Sequence, residues 1–147
     1  MQRPSFMMAL RAIAFGAAIL SVAHQAKADI ALAVGITSNP REGIAQGSSR
    51  NATTDAEARA DAMRACRRYK EAPKAALACR MISSAKTGCV AFAFDPKSDS
   101  SGMGWALSEN KEAAERRALA NCRTAAPKGR EQFCAIETAA TKCEGDP

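Results

Sequence analysis

The chain has 147 residues, a formal net charge of +6 and 47% hydrophobic residues, yet only 5% are aromatic. That length suits one domain. The scarcity of aromatic side chains argues against the stacking platforms of single-strand nucleic-acid binders, so no nucleic-acid partner is expected.

In chain order, the first segment reads as a leader. Met1–Arg11 carries Arg3 and Arg11, Ala12–Ala23 (AIAFGAAILSVA) runs apolar without a charge, and Ala26-Lys27-Ala28 supplies a small-residue cleavage triplet. The apolar run is shorter than the roughly 20 residues a membrane-spanning helix needs, and an uncleaved anchor is the alternative. No cysteine lies near the cleavage site, which argues against lipoprotein processing. The expectation is a signal peptide over residues 1–28 and one disulfide-stabilised domain over 29–147, exported to the periplasm or secreted, with no transmembrane anchor after cleavage. Cleavage removes Arg3, Arg11 and Lys27 and no acid, lowering the formal charge by three. It also removes His24, the only histidine. A Ser-His-Asp or Cys-His site is thereby excluded from the remaining domain.

Next, IALAVGI (Ile30–Ile36) predicts a short apolar strand, Asn39-Pro40 a turn, and GIAQGSS (Gly43–Ser49) a returning strand. Thr54-Asp55-Ala56-Glu57 fits a capping box. The helix that follows places Ala58, Ala62, Cys66 and Tyr69 on one face with Met63 beside it, and Pro73 is expected to end it. ACRMISS (Ala78–Ser84) predicts a third strand, and Lys86-Thr87-Gly88 turns the chain into CVAFAF (Cys89–Phe94). Then the plan repeats. Asp95–Gly102 is a turn, MGWALS (Met103–Ser108) a strand, and a helix starting near Asn110 turns Ala114, Ala118, Leu119 and Cys122 inward. Its cap is weaker, with Ala113 where the first copy has Glu57. Pro127 and Gly129 end it, CAIET (Cys134–Thr138) follows as a strand, and Lys142-Cys143 closes the unit.

The repetition is explicit in the letters. EARADAMRAC (Glu57–Cys66) is answered by AAERRALANC (Ala113–Cys122), IALA (Ile30–Ala33) by VAFA (Val90–Ala93), and Cys66, Cys79 and Cys89 by Cys122, Cys134 and Cys143. Two copies of a unit of about 55 residues, approximately 30–88 and 89–143, are fewer than a solenoid requires. The expected architecture is α+β: a pseudo-twofold duplicated unit whose antiparallel β-sheet carries two helices on one face.

Alanine dominates the candidate core, and the domain's only aromatics are Tyr69, Phe92, Phe94, Trp105 and Phe133. Burial contributes in proportion to apolar area, so this core stabilises weakly. Six cysteines in an exported chain read as three disulfides. The spacings C-x12-C-x9-C and C-x11-C-x8-C contain no close cysteine pair, which argues against a zinc site; no metal and no cofactor is expected.

The order A-x-x-x-A-[LM]-x-x-C, a strand cysteine, then GC-V-A-F-A resembles the bacterial domain-of-unknown-function family forty-one eighty-nine. It is carried by Ala58, Ala62, Met63, Cys66, Cys79, Gly88, Cys89 and Ala91, and again by Ala114, Ala118, Leu119, Cys122, Cys134 and Cys143. The resemblance spans nearly the whole chain after the leader and implies an exported bacterial protein. Its motifs are structural and bring no catalytic residue. Asn39-Pro40-Arg41 departs from the glycine-rich opening common in that family.

Six cysteines allow fifteen pairings. Among those that respect the repeat, we favour Cys66–Cys79, Cys122–Cys134 and Cys89–Cys143, which tie each helix end to the next strand and join the two copies. Cys79–Cys89, Cys134–Cys143 and Cys66–Cys122 form the alternative set.

Candidate chemistry is thin. SSAKTG (Ser83–Gly88) contains S-x-x-K and K-T-G strings, but one lysine, Lys86, would have to serve both. Asp95, Asp99 and Ser101 miss the spacing of a calcium loop. Glu57 with Asp61, and Glu112 with Glu115, are the carboxylate pairs a small envelope hydrolase could use, although both sit among arginines. Arg64, Arg67, Arg68, Arg116, Arg117 and Arg123 could form a basic interaction face for an anionic envelope component or an unknown protein. The expectation is a non-enzymatic binding or interaction module of the bacterial envelope, with the carboxylate hydrolase as the alternative.

Overall fold

The computed structural model describes residues 29–97 and 100–146. The signal peptide expected over residues 1–28 lies outside them. So does Asp99 of the candidate cation loop.

Strand β1 (Asp29–Ile36) pairs antiparallel with β2 (Ile44–Ala52) on one side and with β3 (Cys79–Ala85) on the other. A second sheet is built on β4 (Cys89–Phe94), flanked by β5 (Met103–Ser108) and, along its other edge, by the short strands β6 (Ala135–Ile136) and β7 (Lys142–Cys143). The α+β class, the antiparallel pairing and the three disulfides are all present. The strands nevertheless form two sheets, and each sheet carries its own helix.

The reason lies in the two central strands. Successive side chains of a strand point to opposite faces. In β1, Ala31 and Ala33 pack under helix α1 (Asp55–Arg67), while Ile30, Leu32 and Val34 join Val90 and Phe92 of β4 in a separate cluster. In β4, Cys89, Ala91 and Ala93 pack under helix α3 (Lys111–Ala125). Both strands are thus apolar on both faces, with small residues toward a helix and large ones toward the opposite sheet. The result is four layers in the order helix, sheet, sheet, helix.

Small residues decide how near each helix comes. A Cβ on Gly47 of β2 would overlap the backbone of Ala62 and Cys66 on α1, and a Cβ on Gly104 of β5 would overlap that of Ala118 and Cys122 on α3. Ala33 faces Gly47 and Ala93 faces Gly104 in register, so the two halves use matching positions for the same purpose. Ala58, Ala62 and Cys66 are buried on α1, and Ala114, Ala118 and Cys122 on α3. Partly buried Met63, Tyr69 and Leu119 complete the predicted inner faces.

Helix starts follow the sequence closely. Thr54 caps α1 by accepting from the Glu57 N–H at 3.2 Å, and Glu57 reaches back to the Thr53 N–H and hydroxyl rather than to Thr54. Asn110 caps α3 by accepting from the Ala113 N–H at 2.9 Å, with Ala113 offering nothing in return. Pro73 behaves differently from expectation. Helix α1 has already ended at Arg67, and Pro73 opens a second short helix, α2 (Pro73–Leu77), at the first-turn position where a missing N–H costs nothing. The predicted strand Cys134–Thr138 shrinks to Ala135–Ile136, because the chain turns at Glu137–Thr141 before rejoining β4 as β7.

The disulfides are Cys66–Cys79, Cys122–Cys134 and Cys89–Cys143, the favoured set, with no free cysteine among the described residues. The first two tie each long helix to a following segment. The third links β4 to β7 at directly paired positions, Cα atoms 4.0 Å apart. Nearby, Asn51 adopts a left-handed conformation (φ 57°) and fastens the C-terminal turn to β2, accepting from Gly145 N–H at 3.0 Å and donating to the Asp146 carbonyl at 3.4 Å.

Candidate functional site

Where the two sheets meet near the β1–β2 turn, they leave an open cleft of about 220 Å³. One wall comes from the first half, with Ile44 and Gln46 of β2 and Tyr69, Glu71 and Ala72 from the segment after α1. The other comes from the second half, with Phe92 and Phe94 of β4, Asp95, Pro96, Lys97, Ser100 and Gly102, and Met103 and Trp105 of β5. Phe92 and Trp105 are directly paired neighbours on β4 and β5. Four of the five aromatic residues after the leader therefore line this single cleft. Their scarcity elsewhere was the available signal, but the sequence placed them on separate elements and did not gather them. Trp105 also borders a second hollow, with Leu32, Ile82, Leu107 and Arg117.

The lip formed by Asp95, Pro96, Lys97, Ser100 and Gly102 is anchored at Asp95. Asp95 is buried and accepts two bonds from the Arg130 guanidinium, from Nε and from Nη2, each at 2.6 Å. Such a two-pronged pair fixes geometry as well as charge. Arg130 also lies over the Phe133 ring, 4.5 Å from its centroid. Asp95 accepts in addition from the Lys97 N–H at 3.2 Å, and its own N–H donates to the Gly102 carbonyl at 2.8 Å. The Arg130 guanidinium holds the Asp95 carboxyl far below the usual carboxylate range. This aspartate closes an ion pair that shapes the cleft.

Tyr69 stands at the opposite side. Burial, and then the carboxylates of Glu71 and Glu137, push its phenol up, against a lesser opposing effect of a hydrogen bond with Gln46. The phenol stays protonated across the neutral range.

The carboxylates singled out in the sequence lie elsewhere. Glu57 is engaged by Thr53 at the start of α1, and its hydrogen bonds lower its pKa; a general acid needs the opposite shift. Asp61 pairs with Arg64 on the same helix. Glu112 and Glu115 are on α3, which the two sheets separate from α1. None of the four lines the cleft. Lys86 occupies the turn between β3 and β4, which lie in different sheets and form no hairpin.

The arginines divide similarly. Arg64 and Arg67 of α1 and the adjoining Arg68 are exposed on one outer layer, and Arg116, Arg117 and Arg123 of α3 on the other. They make two patches on opposite sides of the sheets. Among the described residues no group of three or more His, Cys, Asp or Glu side chains could hold a metal ion, and no helix is long and apolar enough to cross a membrane.

Neither a curated protein nor a solved structure matches this sequence. A family of proteins does, the Domain of unknown function (DUF4189), over residues 30–143. That stretch runs from the first residues of β1 to the cysteine that closes β7, and it contains every disulfide and the whole cleft. The chain belongs to the DUF4189 family.

Proposed function

We propose that the protein is an exported, non-enzymatic binding module of the bacterial envelope, built from two copies of one unit, and that its ligand seat is the cleft between them. One observation carries the reading. A chain with few aromatic residues concentrates Tyr69, Phe92, Phe94 and Trp105 on the walls of one open cleft whose lip is braced by Asp95 and Arg130. Ligand sites are commonly concave and mostly apolar, with a few placed polar groups; here Gln46, Glu71 and the Tyr69 phenol supply them. Export is supported by the expected leader and by three disulfides, which persist in oxidising compartments. The two arginine patches are secondary surfaces for anionic envelope components. A hydrolase working through Glu57, Asp61, Glu112 and Glu115 has against it that these groups occupy separate outer helices.

Trp105 is the only tryptophan, so its emission reports on the cleft and on the hollow it also borders. The oxidised domain spanning residues 29–147, immobilised and exposed to solubilised envelope from its own cells, is expected to retain a component that the Tyr69→Ala and Trp105→Ala variants release. The same component, added to free protein, should change Trp105 emission. Equal retention by wild type and both variants would falsify the assignment of the cleft.

A further inference from the structure

Taking the cleft as the ligand seat, we infer that it receives a lysine-type side chain of a peptide, the aliphatic stem lying along the aromatic walls and the ammonium reaching the carboxylates of Glu71 and Glu137. Charge around the cleft is the reason. Asp95 is matched by Arg130 and Glu42 by Lys74, at 2.6 Å and 2.9 Å. Glu71 lines the cleft; Glu137 does not line it, but its N–H donates to the Phe92 carbonyl at 2.9 Å, and its carboxylate accepts from the Ala139 N–H at 3.3 Å. Neither has a cationic partner among the described residues. Among the described residues that line the cleft the carboxylates are Glu71 and Asp95, and Asp95 is neutralised by Arg130. Lys97 occupies the opposite lip, where its backbone is bonded to Asp95 and Ser100. Burial first, and after it the carboxylates of Glu71 and Glu137, raise the Tyr69 phenol, so both carboxylates lie within electrostatic reach of that cleft wall.

The walls fit the rest of such a ligand. An ammonium near Tyr or Trp faces is attracted by the ring quadrupole, and a lysine stem buries along apolar surface while its head stays near polar groups. About 220 Å³ holds one long side chain and little more, so a peptide would present that side chain and keep its backbone at the mouth.

The test titrates the oxidised 29–147 domain with Nα-acetyl-lysine amide and with Nα-acetyl-norleucine amide, which has a similar stem and lacks the ammonium. Trp105 emission and calorimetry give the affinities. Lysine amide is expected to bind about tenfold more tightly, with the preference shrinking as salt is added. The Glu71→Gln/Glu137→Gln double variant, melting as the wild type does, should bind both amides alike. Equal affinities in the wild type overturn the inference and leave the cleft a ligand seat. If neither amide binds, or if phosphatidylethanolamine vesicles bind and the amides do not, a peptide side chain is ruled out as occupant; the Tyr69→Ala retention measurement then judges the cleft separately.

Discussion

Gly47 and Gly104 set the distance between layers. Each lies directly beneath its helix, and any Cβ there meets main-chain atoms that cannot rotate away. Gly47→Ala and Gly104→Ala should each destabilise the fold by about 1–3 kcal/mol or more, the range for overpacking a close-fitting core. Matching losses in denaturant midpoint would follow from their matching geometry. Asp95 acts through charge. Its carboxyl is held below the ordinary range in the folded protein, so its pair with Arg130 stabilises the fold above the unfolded pKa of roughly 3.9 and loses that effect as pH falls below it. Glu42 and Glu57 are shifted in the same direction. Thermal melts between pH 2 and 7 should therefore decline steeply below about pH 4. In Asp95→Asn the decline should be shallower and the neutral-pH melting point lower.

At the scale of the element, caps and crosslinks can be ranked. Asn110→Ala removes the single side-chain cap of α3 and is expected to cost about 1 kcal/mol, read as a lower melting temperature by circular dichroism. Among the disulfides, Cys89–Cys143 spans 54 residues and the other two 13 and 12. On chain-entropy grounds, replacing Cys89 and Cys143 with serine should cost roughly 4 kcal/mol, against roughly 3 for either shorter link. Equal losses in denaturant titrations would count against that entropic account. Much at this scale was readable beforehand: the boundaries of Met103–Ser108 and Cys89–Phe94 and the Thr54 and Asn110 starts follow from local letters, and the cysteine pairing is the favoured set among those that the repetition allowed. Pro73 was misread because the same ring that stops one helix also suits the first turn of another. The strand after Cys134 was overextended because the turn at Glu137–Thr141 is held by backbone bonds that side-chain identity does not announce.

For the whole molecule, the cluster of Ile30, Leu32, Val34, Val90 and Phe92 is what unites the two sheets. Phe92→Ala should cost about 3–5 kcal/mol and Leu32→Ala about 2–5 kcal/mol, the range for large-to-small changes in a core, measured by denaturant unfolding. Two sheets in place of one could have been inferred from IALAV and CVAFAF, since a strand apolar on both faces must be covered on both. The cleft could not be, because it exists only once Tyr69, Phe94 and Trp105 meet across the two halves.

The link between β4 and β7 also bears on how the molecule matures. Read from the N-terminus, the cysteines appear as 66, 79, 89, 122, 134 and 143, and only the bridges 66–79 and 122–134 join consecutive ones. An oxidant that couples thiols in order of emergence makes the first bridge correctly, then traps Cys89 with Cys122 and Cys134 with Cys143. The native product therefore calls for either a delay until the last residues arrive or an isomerase that reshuffles those two bonds.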